Sequence, residues 1–368
     1  MKNIPVALFA LIILSSAALH AQDARWYESV EMQGFLSTSF IYNLNTPASG
    51  ENGFRIFDRH HNSFNLDVFQ LVLKRDAAKA GEAGFRFDGI VGQIPMYTAS
   101  SGLFGGQNID VLQAYARYIV PVGSGLTLDG GKFLTHMGYE VIEGRDGWND
   151  NFSRSYCFGY AIPYAHTGLR ARYGFGQSVS AMLMLANGWD NAVENNSNKT
   201  VGAQLAVTPA AGLSIFANAI YGTEGSHDNS NNTSVIDLVA VWSPATLITI
   251  GANVDLGSAQ GAAADGTDAA WTGLAGYLRL NFSEAFALSL RAERFDDADG
   301  IRTGGVQKLT GITVTPEYRP TDHLILRAEF RMDSSDKEVF EDGDSKVNPS
   351  TPNGDAQSTI GLNMLVLF

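Results

Sequence analysis

Three groups of residues are of types that are used in catalysis or ligand binding, but their spacing does not match that of the corresponding sites. His60 and His61 could bind a metal, yet adjacent loop histidines lack the spacing and the acidic partner of a metal site. The run LDGGKF at 128–133 is similar to a phosphate loop, but its first glycine is misplaced and Phe133 replaces the Ser or Thr. Ser, His and acidic residues near 153–166 lack a nucleophile elbow. We therefore predict no enzyme activity, no metal and no cofactor.

In segments such as 323–333, charged residues of both signs recur at every second position. Arg327, Glu329 and Arg331 share one face of 323–333, and Leu326 lies on the other. A period of two is typical of a β-strand whose faces meet different media. Such charges need water or partners, so we expect them to line a polar interior. The candidate wall residues are Arg117, Lys132, Arg170, Arg172, Arg291, Glu293, Arg327, Glu329 and Arg331.

The longest connection, 135–163, also carries opposite charges close together. Loops of this length are usually functional. Folded inward, it would narrow a pore and set a transverse field; folded outward, it would be a surface loop. We expect the inward arrangement. The candidate constriction residues are Glu140, Glu143, Arg145, Asp146, Asp150 and Arg154.

The elements that must position these residues are sixteen alternating segments of about ten residues each. They are 30–43, 63–74, 83–93, 109–120, 125–134, 164–174, 178–187, 199–208, 212–222, 233–243, 246–256, 271–282, 285–295, 307–318, 323–333 and 357–368.

The connections between these segments alternate strictly between short and long. Short examples are 175–177 and 283–285, and long ones are 135–163 and 334–356. Sandwiches and propellers do not need this alternation. A transmembrane barrel does, because its short turns are periplasmic and its long loops extracellular. We predict an all-β, antiparallel up-and-down transmembrane barrel of about sixteen strands.

The N-terminus and the composition agree with an exported protein. Residues 1–21 have one Lys, a short apolar run and small residues, which predicts a secretory signal peptide cleaved after Ala21. Residues 22–368 would then form one barrel domain. Cys157 is the only cysteine, so no intramolecular disulfide can form. The net charge of −13 argues against a nucleic-acid partner.

The C-terminus ends on Phe368, with Val366, Met364, Leu362 and Ile360 on the same face. This ending resembles the C-terminal assembly signal of bacterial outer-membrane barrels. We predict that Phe368, Val366 and Met364 face lipid and are read by the barrel-assembly machinery.

The long connections carry most of the excess negative charge, with 21 of the 38 acidic residues. An acidic rim could bind lipopolysaccharide through divalent cations, or could simply favour solubility.

A sixteen-stranded barrel is wide enough for a water-filled lumen. We therefore predict a porin for passive diffusion of small hydrophilic solutes or ions. The alternative is a barrel with a mainly binding or structural, adhesin-like role. We expect a weak cation preference that fades as salt rises, and either a monomer or a homotrimer in the outer membrane.

Two stretches, 131–173 and 187–209, resemble the putative β-barrel porin-2, or OmpL-like, family. The matching elements include Gly131-Lys132-Phe133, Ser153-Arg154-Ser155, His166-Thr167-Gly168 and Asn187-Gly188-Trp189. The resemblance covers most of the chain from about residue 30. It implies an outer-membrane porin-like barrel and supplies no catalytic or ligand residues.

Overall fold

The computed structural model describes residues 26–98, 100–104, 106–343 and 352–368. The predicted signal peptide lies outside these residues. The strands are β1 Glu31–Asn43, β2 Ser63–Arg75, β3 Ala83–Gly92, β4 Ile109–Val120, β5 Leu126–Leu134, β6 Ala165–Gly174, β7 Val179–Ala186, β8 Thr200–Ala210, β9 Leu213–Thr223, β10 Asn232–Ala245, β11 Ile248–Ala259, β12 Ala269–Asn281, β13 Phe286–Asp297, β14 Gln307–Thr321, β15 Leu324–Ser335 and β16 Ala356–Leu367.

The strands form a closed barrel in which each pairs antiparallel with its neighbours along the chain, and β1 pairs with β16. Closure leaves no unpaired strand edge, as lipid requires. The predicted sixteen-stranded barrel is confirmed. Strands β10 and β14 run into connections that the sequence predicted to be turns, because register shifts at Trp242/Ala245 and Tyr318/Thr321 add irregular pairs at their ends.

The two faces of the strands meet different surroundings. On β12, Leu274 is 52% exposed on the outside, whereas Trp271 and Tyr277 point inward and are buried. On β15, Phe330 lies outside, whereas Arg331 lies inside with no exposed area. The apolar face is therefore the outer one, which is the arrangement of a barrel surrounded by lipid.

Helices contribute little to the described residues. They are a 3₁₀ turn at Trp26–Ser29, a short helix α1 at Ile94–Thr98 and a π-helical turn at Cys157–Ala161. None of them could cross a membrane by length and hydropathy.

The C-terminal residue completes the barrel seam. The N–H of Gly34 donates to the carbonyl of Phe368 at 2.7 Å, and the N–H of Phe368 donates back at 3.1 Å. The Phe368 ring lies over Gly34, where a Cβ would be 2.2 Å from the ring, so a glycine is needed there. The ring also stacks on Phe69 and is 56% exposed on the outer face.

Candidate functional site

The segment 135–163, named the inner loop here, connects β5 to β6 and crosses the interior of the barrel. Near its start, the N–H of Gly138 donates to Asp237 of β10 at 2.9 Å. Further along, the N–H of Arg145 donates to Gln70 of β2 at 2.8 Å. These two strands lie eight positions apart in the ring of sixteen, on opposite sides. The inner loop therefore spans the full width of the barrel.

Glycines allow the sharp bends of the inner loop. Gly138 has a φ of +89°, in the left-handed region, and a Cβ there would be 2.6 Å from Ile162. At the tip of the loop, Gly144 and Gly147 exchange two backbone hydrogen bonds of 2.9 and 3.2 Å. A Cβ on Gly144 would be 2.5 Å from the Gln70 side chain, so the tip lies directly against β2.

Glu140 ties the inner loop to β13. Its carboxylate accepts from the Arg291 guanidinium at 2.8 Å and from the backbone N–H of Ser155 at 2.7 Å. Arg291 and Glu140 are almost fully buried. The two charges therefore compensate each other away from bulk solvent.

Glu143 makes the equivalent connection to β15. It forms ion pairs with Arg327 at 2.9 Å and with Arg154 at 3.3 Å. Burial alone would raise the pKa of Glu143, but the two arginines outweigh this effect and hold the pKa below its ordinary value. Glu143 is therefore ionised at neutral pH.

Acidic residues of the wall bind the backbone of the same loop. Glu329 accepts from the N–H groups of Phe152 at 2.7 Å and Ser153 at 3.0 Å, and Glu293 accepts from the N–H of Tyr156. Arg331 donates to the carbonyl of Arg154 at 2.5 Å. These contacts fix the backbone of 152–156 against β13 to β15.

The other charged residues of the inner loop are less enclosed. Asp150 forms an ion pair with Arg279 of β12 at 2.9 Å. Asp146 pairs with Arg86 of β3, but its side chain is 51% exposed, so this pair contributes little stability. The Nε atom of Arg145 is buried and has no hydrogen-bond partner among the described residues.

The remaining predicted wall residues lie on β4 to β6. Arg117 and Arg170 both bind Asp129, at 2.6 and 2.8 Å. Arg172 lies on the same face of β6 as Arg170. Lys132 is buried and binds Asp110 at 2.8 Å and the carbonyl of Val111 at 2.7 Å.

An apolar core inside the barrel was missed by the sequence analysis, which expected water around the wall charges. Phe158 of the inner loop and Tyr164, which directly follows the loop, pack against Phe57 of the first long loop. Their ring centroids lie 6.0 and 5.8 Å from that of Phe57. Trp271 of β12 donates its indole N–H to the carbonyl of Ala161 at 3.1 Å. The aromatic run YCFGYAIPY at 156–164 is the signal that could have predicted this core.

Two cavities lie on opposite sides of the inner loop. One, of about 400 Å³, is toward the short-turn end; its lining includes Tyr139, Trp148, Asn218 and Val241. The other, of about 380 Å³, is toward the long-loop end; its lining includes Tyr160 and, from the first long loop, residues 51–56 and Arg59. The inner loop therefore contributes lining residues to both cavities.

A closed barrel of sixteen antiparallel strands, with an apolar outer face, a charged inner face and a long loop folded inside, defines an outer-membrane porin. The chain belongs to the putative beta-barrel porin-2, OmpL-like family, which it matches over residues 29–368. It is a passive diffusion channel of the outer membrane. A comparison with curated proteins found no significant match.

Solved structures share this fold at low identity. The outer-membrane channel DcaP of Acinetobacter baumannii is 10% identical with a TM-score of 0.62, covering 92% of this chain and 97% of that one. The anion-selective porin of Comamonas acidovorans is 12% identical with a TM-score of 0.63, covering 92% and 99%. The trimer form of Vibrio cholerae OmpT is 10% identical with a TM-score of 0.56, covering 92% and 99%.

Proposed function

We propose that the inner loop forms the constriction of this porin and that small hydrophilic solutes and ions pass it beside β8 to β10. The observation that supports this most is the position of the loop between two cavities. Ion pairs hold the loop to β12, β13 and β15, whereas hydrogen bonds join it to β8, β9 and β10, beside the cavity toward the short-turn end. Solutes would follow the side that holds this cavity.

Trp148 offers a direct test of this path because its side chain lines the cavity toward the short-turn end. Replacing it by Ala removes a large ring from the proposed path without changing charge. We expect Trp148→Ala to speed the swelling of proteoliposomes in small sugars several-fold, and to admit larger sugars than the wild type.

Trp242→Ala is the matched control, since Trp242 is 46% exposed on the outer face of β10. Its swelling rates should equal those of the wild type. Equal rates for all three folded proteins would show that solutes do not pass Trp148.

A second role, as a plugged barrel with a binding or structural function, is favoured by one observation. Much of the interior toward the long-loop end is filled by the apolar core around Phe158 and Trp271. Folded protein that gives no swelling and no conductance in either the wild-type or the Trp148→Ala form would support this role over diffusion.

The proposal includes no catalysis and no cofactor. Its partners are outer-membrane lipid, lipopolysaccharide at the acidic long-loop rim and the barrel-assembly machinery at the C-terminus. A homotrimer is a further proposal, supported by the trimer form of the OmpT neighbour.

A further inference from the structure

A patch of three arginines on β4 and β6 has fewer acidic partners than the rest of the interior. Arg117 of β4 and Arg170 and Arg172 of β6 surround Asp129 of β5, and we call these four residues the basic patch. Arg170 and Asp129 are direct cross-strand neighbours, as are Arg117 and Asp129. Three positive charges therefore meet one negative charge.

Both carboxylate oxygens of Asp129 already accept hydrogen bonds from Arg117 or Arg170. One of its oxygens accepts from Arg117 Nε at 2.6 Å, and the other accepts from Arg117 at 3.0 Å and from Arg170 at 2.8 and 3.0 Å. The Tyr115 ring lies 5.3 Å from the Arg117 guanidinium and 5.7 Å from that of Arg170. These contacts hold both arginines in place.

Arg172 is different, because it has no ion pair or hydrogen bond within the described part of the chain. It is half-buried, and its cross-strand neighbours are Thr127 and Met182, neither of which carries a charge. In contrast, Arg291, Arg327 and Arg331 each bind acidic groups and loop carbonyls. The N–H donors of the Arg172 guanidinium are therefore not used by the described residues and remain available to a ligand inside the barrel.

We propose that the basic patch is a binding subsite for a small oxyanion, a carboxylate or a phosphate, with Arg172 as its main contact. A planar guanidinium matches the geometry of an oxyanion and can donate two parallel hydrogen bonds to it. The patch carries a net charge of about +2 in a half-enclosed site, where charges are screened less than in bulk water. The subsite deepens the proposed function, because an anion would reach it by the diffusion path.

Binding can be measured without transport. Titration calorimetry of the folded protein in a nonionic detergent, with inorganic phosphate at low ionic strength, should show binding that Arg172→Gln weakens about tenfold. Arg172→Lys keeps the positive charge but loses the planar guanidinium that donates two parallel hydrogen bonds, and should give an intermediate affinity. Arg294→Gln is the matched control, since Arg294 is exposed on the outer face of β13.

Reversal potentials measured in a salt gradient provide a second test of the subsite. Arg172→Gln should lower the anion-to-cation permeability ratio about two- to fivefold at low salt, and Arg294→Gln should leave it unchanged. Phosphate binding that depends on Arg172 in a protein that does not conduct would support the subsite and overturn the diffusion function. A conducting protein whose phosphate affinity and selectivity do not change in Arg172→Gln would overturn the subsite alone.

Discussion

At the residue scale, the charges inside this porin are held mainly by one another. Glu140 and Arg291 illustrate this, since both are almost fully buried and lie 2.8 Å apart. Desolvation is costly for each ion, and it is offset only while both partners remain. The two residues therefore act as one unit that holds the inner loop against β13.

This pairing predicts an asymmetric mutational effect. Arg291→Met alone leaves Glu140 buried without its main partner, and should lower the free energy of unfolding by about 3–5 kcal/mol. The double variant Arg291→Met with Glu140→Gln should cost less than Arg291→Met alone. Chemical denaturation of the folded barrel in detergent measures both. Additive losses would contradict the paired role.

A second prediction at this scale concerns pH. Asp190, in the connection between β7 and β8, accepts from the N–H groups of Tyr164 and Ala165 at 2.7 and 2.8 Å. Burial raises its pKa to about 6, above the ordinary 3.8, although these hydrogen bonds act in the opposite direction. The folded state therefore holds this proton more tightly than the unfolded chain.

The sign of the effect follows from linkage. The contribution of Asp190 to stability should be largest below about pH 4 and should fall as the pH rises to about 6. Asp190→Asn can still accept both hydrogen bonds and should remove this slope. Thermal unfolding at a series of pH values checks it; identical slopes in the wild type and the variant would contradict it.

At the element scale, the strands could be predicted and the inward fold of the inner loop was expected, but the path of that loop could not be predicted. The alternation of Leu274 with Tyr277 or of Phe330 with Arg331 is local, so it reveals each strand and its outer face. The path of the inner loop depends on contacts such as Gly138 with Asp237, which are 99 residues apart in sequence. The alternation predicted which charged residues of the strands face the interior. It did not predict that Glu140 and Glu143 would each be buried in ion pairs with arginines. It also could not show that Arg172 has no ion pair or hydrogen bond with the residues that the structure describes.

The last strand carries a prediction about assembly. Phe368 completes the seam with Gly34 and lies on the outer face, away from the inner loop. Deleting Phe368 should leave export intact and lower the amount of heat-modifiable, folded protein in the outer membrane. Phe282→Ala removes another exposed ring at the same end of the barrel and serves as the control. Normal folded levels after the deletion would contradict the assembly role.

At the scale of the whole molecule, the fold persists at identities of only 10–12% with other porins. A closed barrel constrains only the alternation of faces and the lengths of connections, so most residues can change. The long-loop end keeps the excess of acidic residues, and the basic patch lies within the wall. The basic patch would therefore oppose the expected weak cation preference.

The most direct test of the whole account is the single-channel conductance of two proteins in planar bilayers. One is the wild type, and the other has residues 140–155 replaced by a short Gly-Ser linker, with folding checked by heat-modifiable mobility. If the inner loop is the constriction, the wild type conducts and the shortened protein conducts several-fold more. Equal conductance of the two folded proteins, or a wild type that does not conduct, would contradict it.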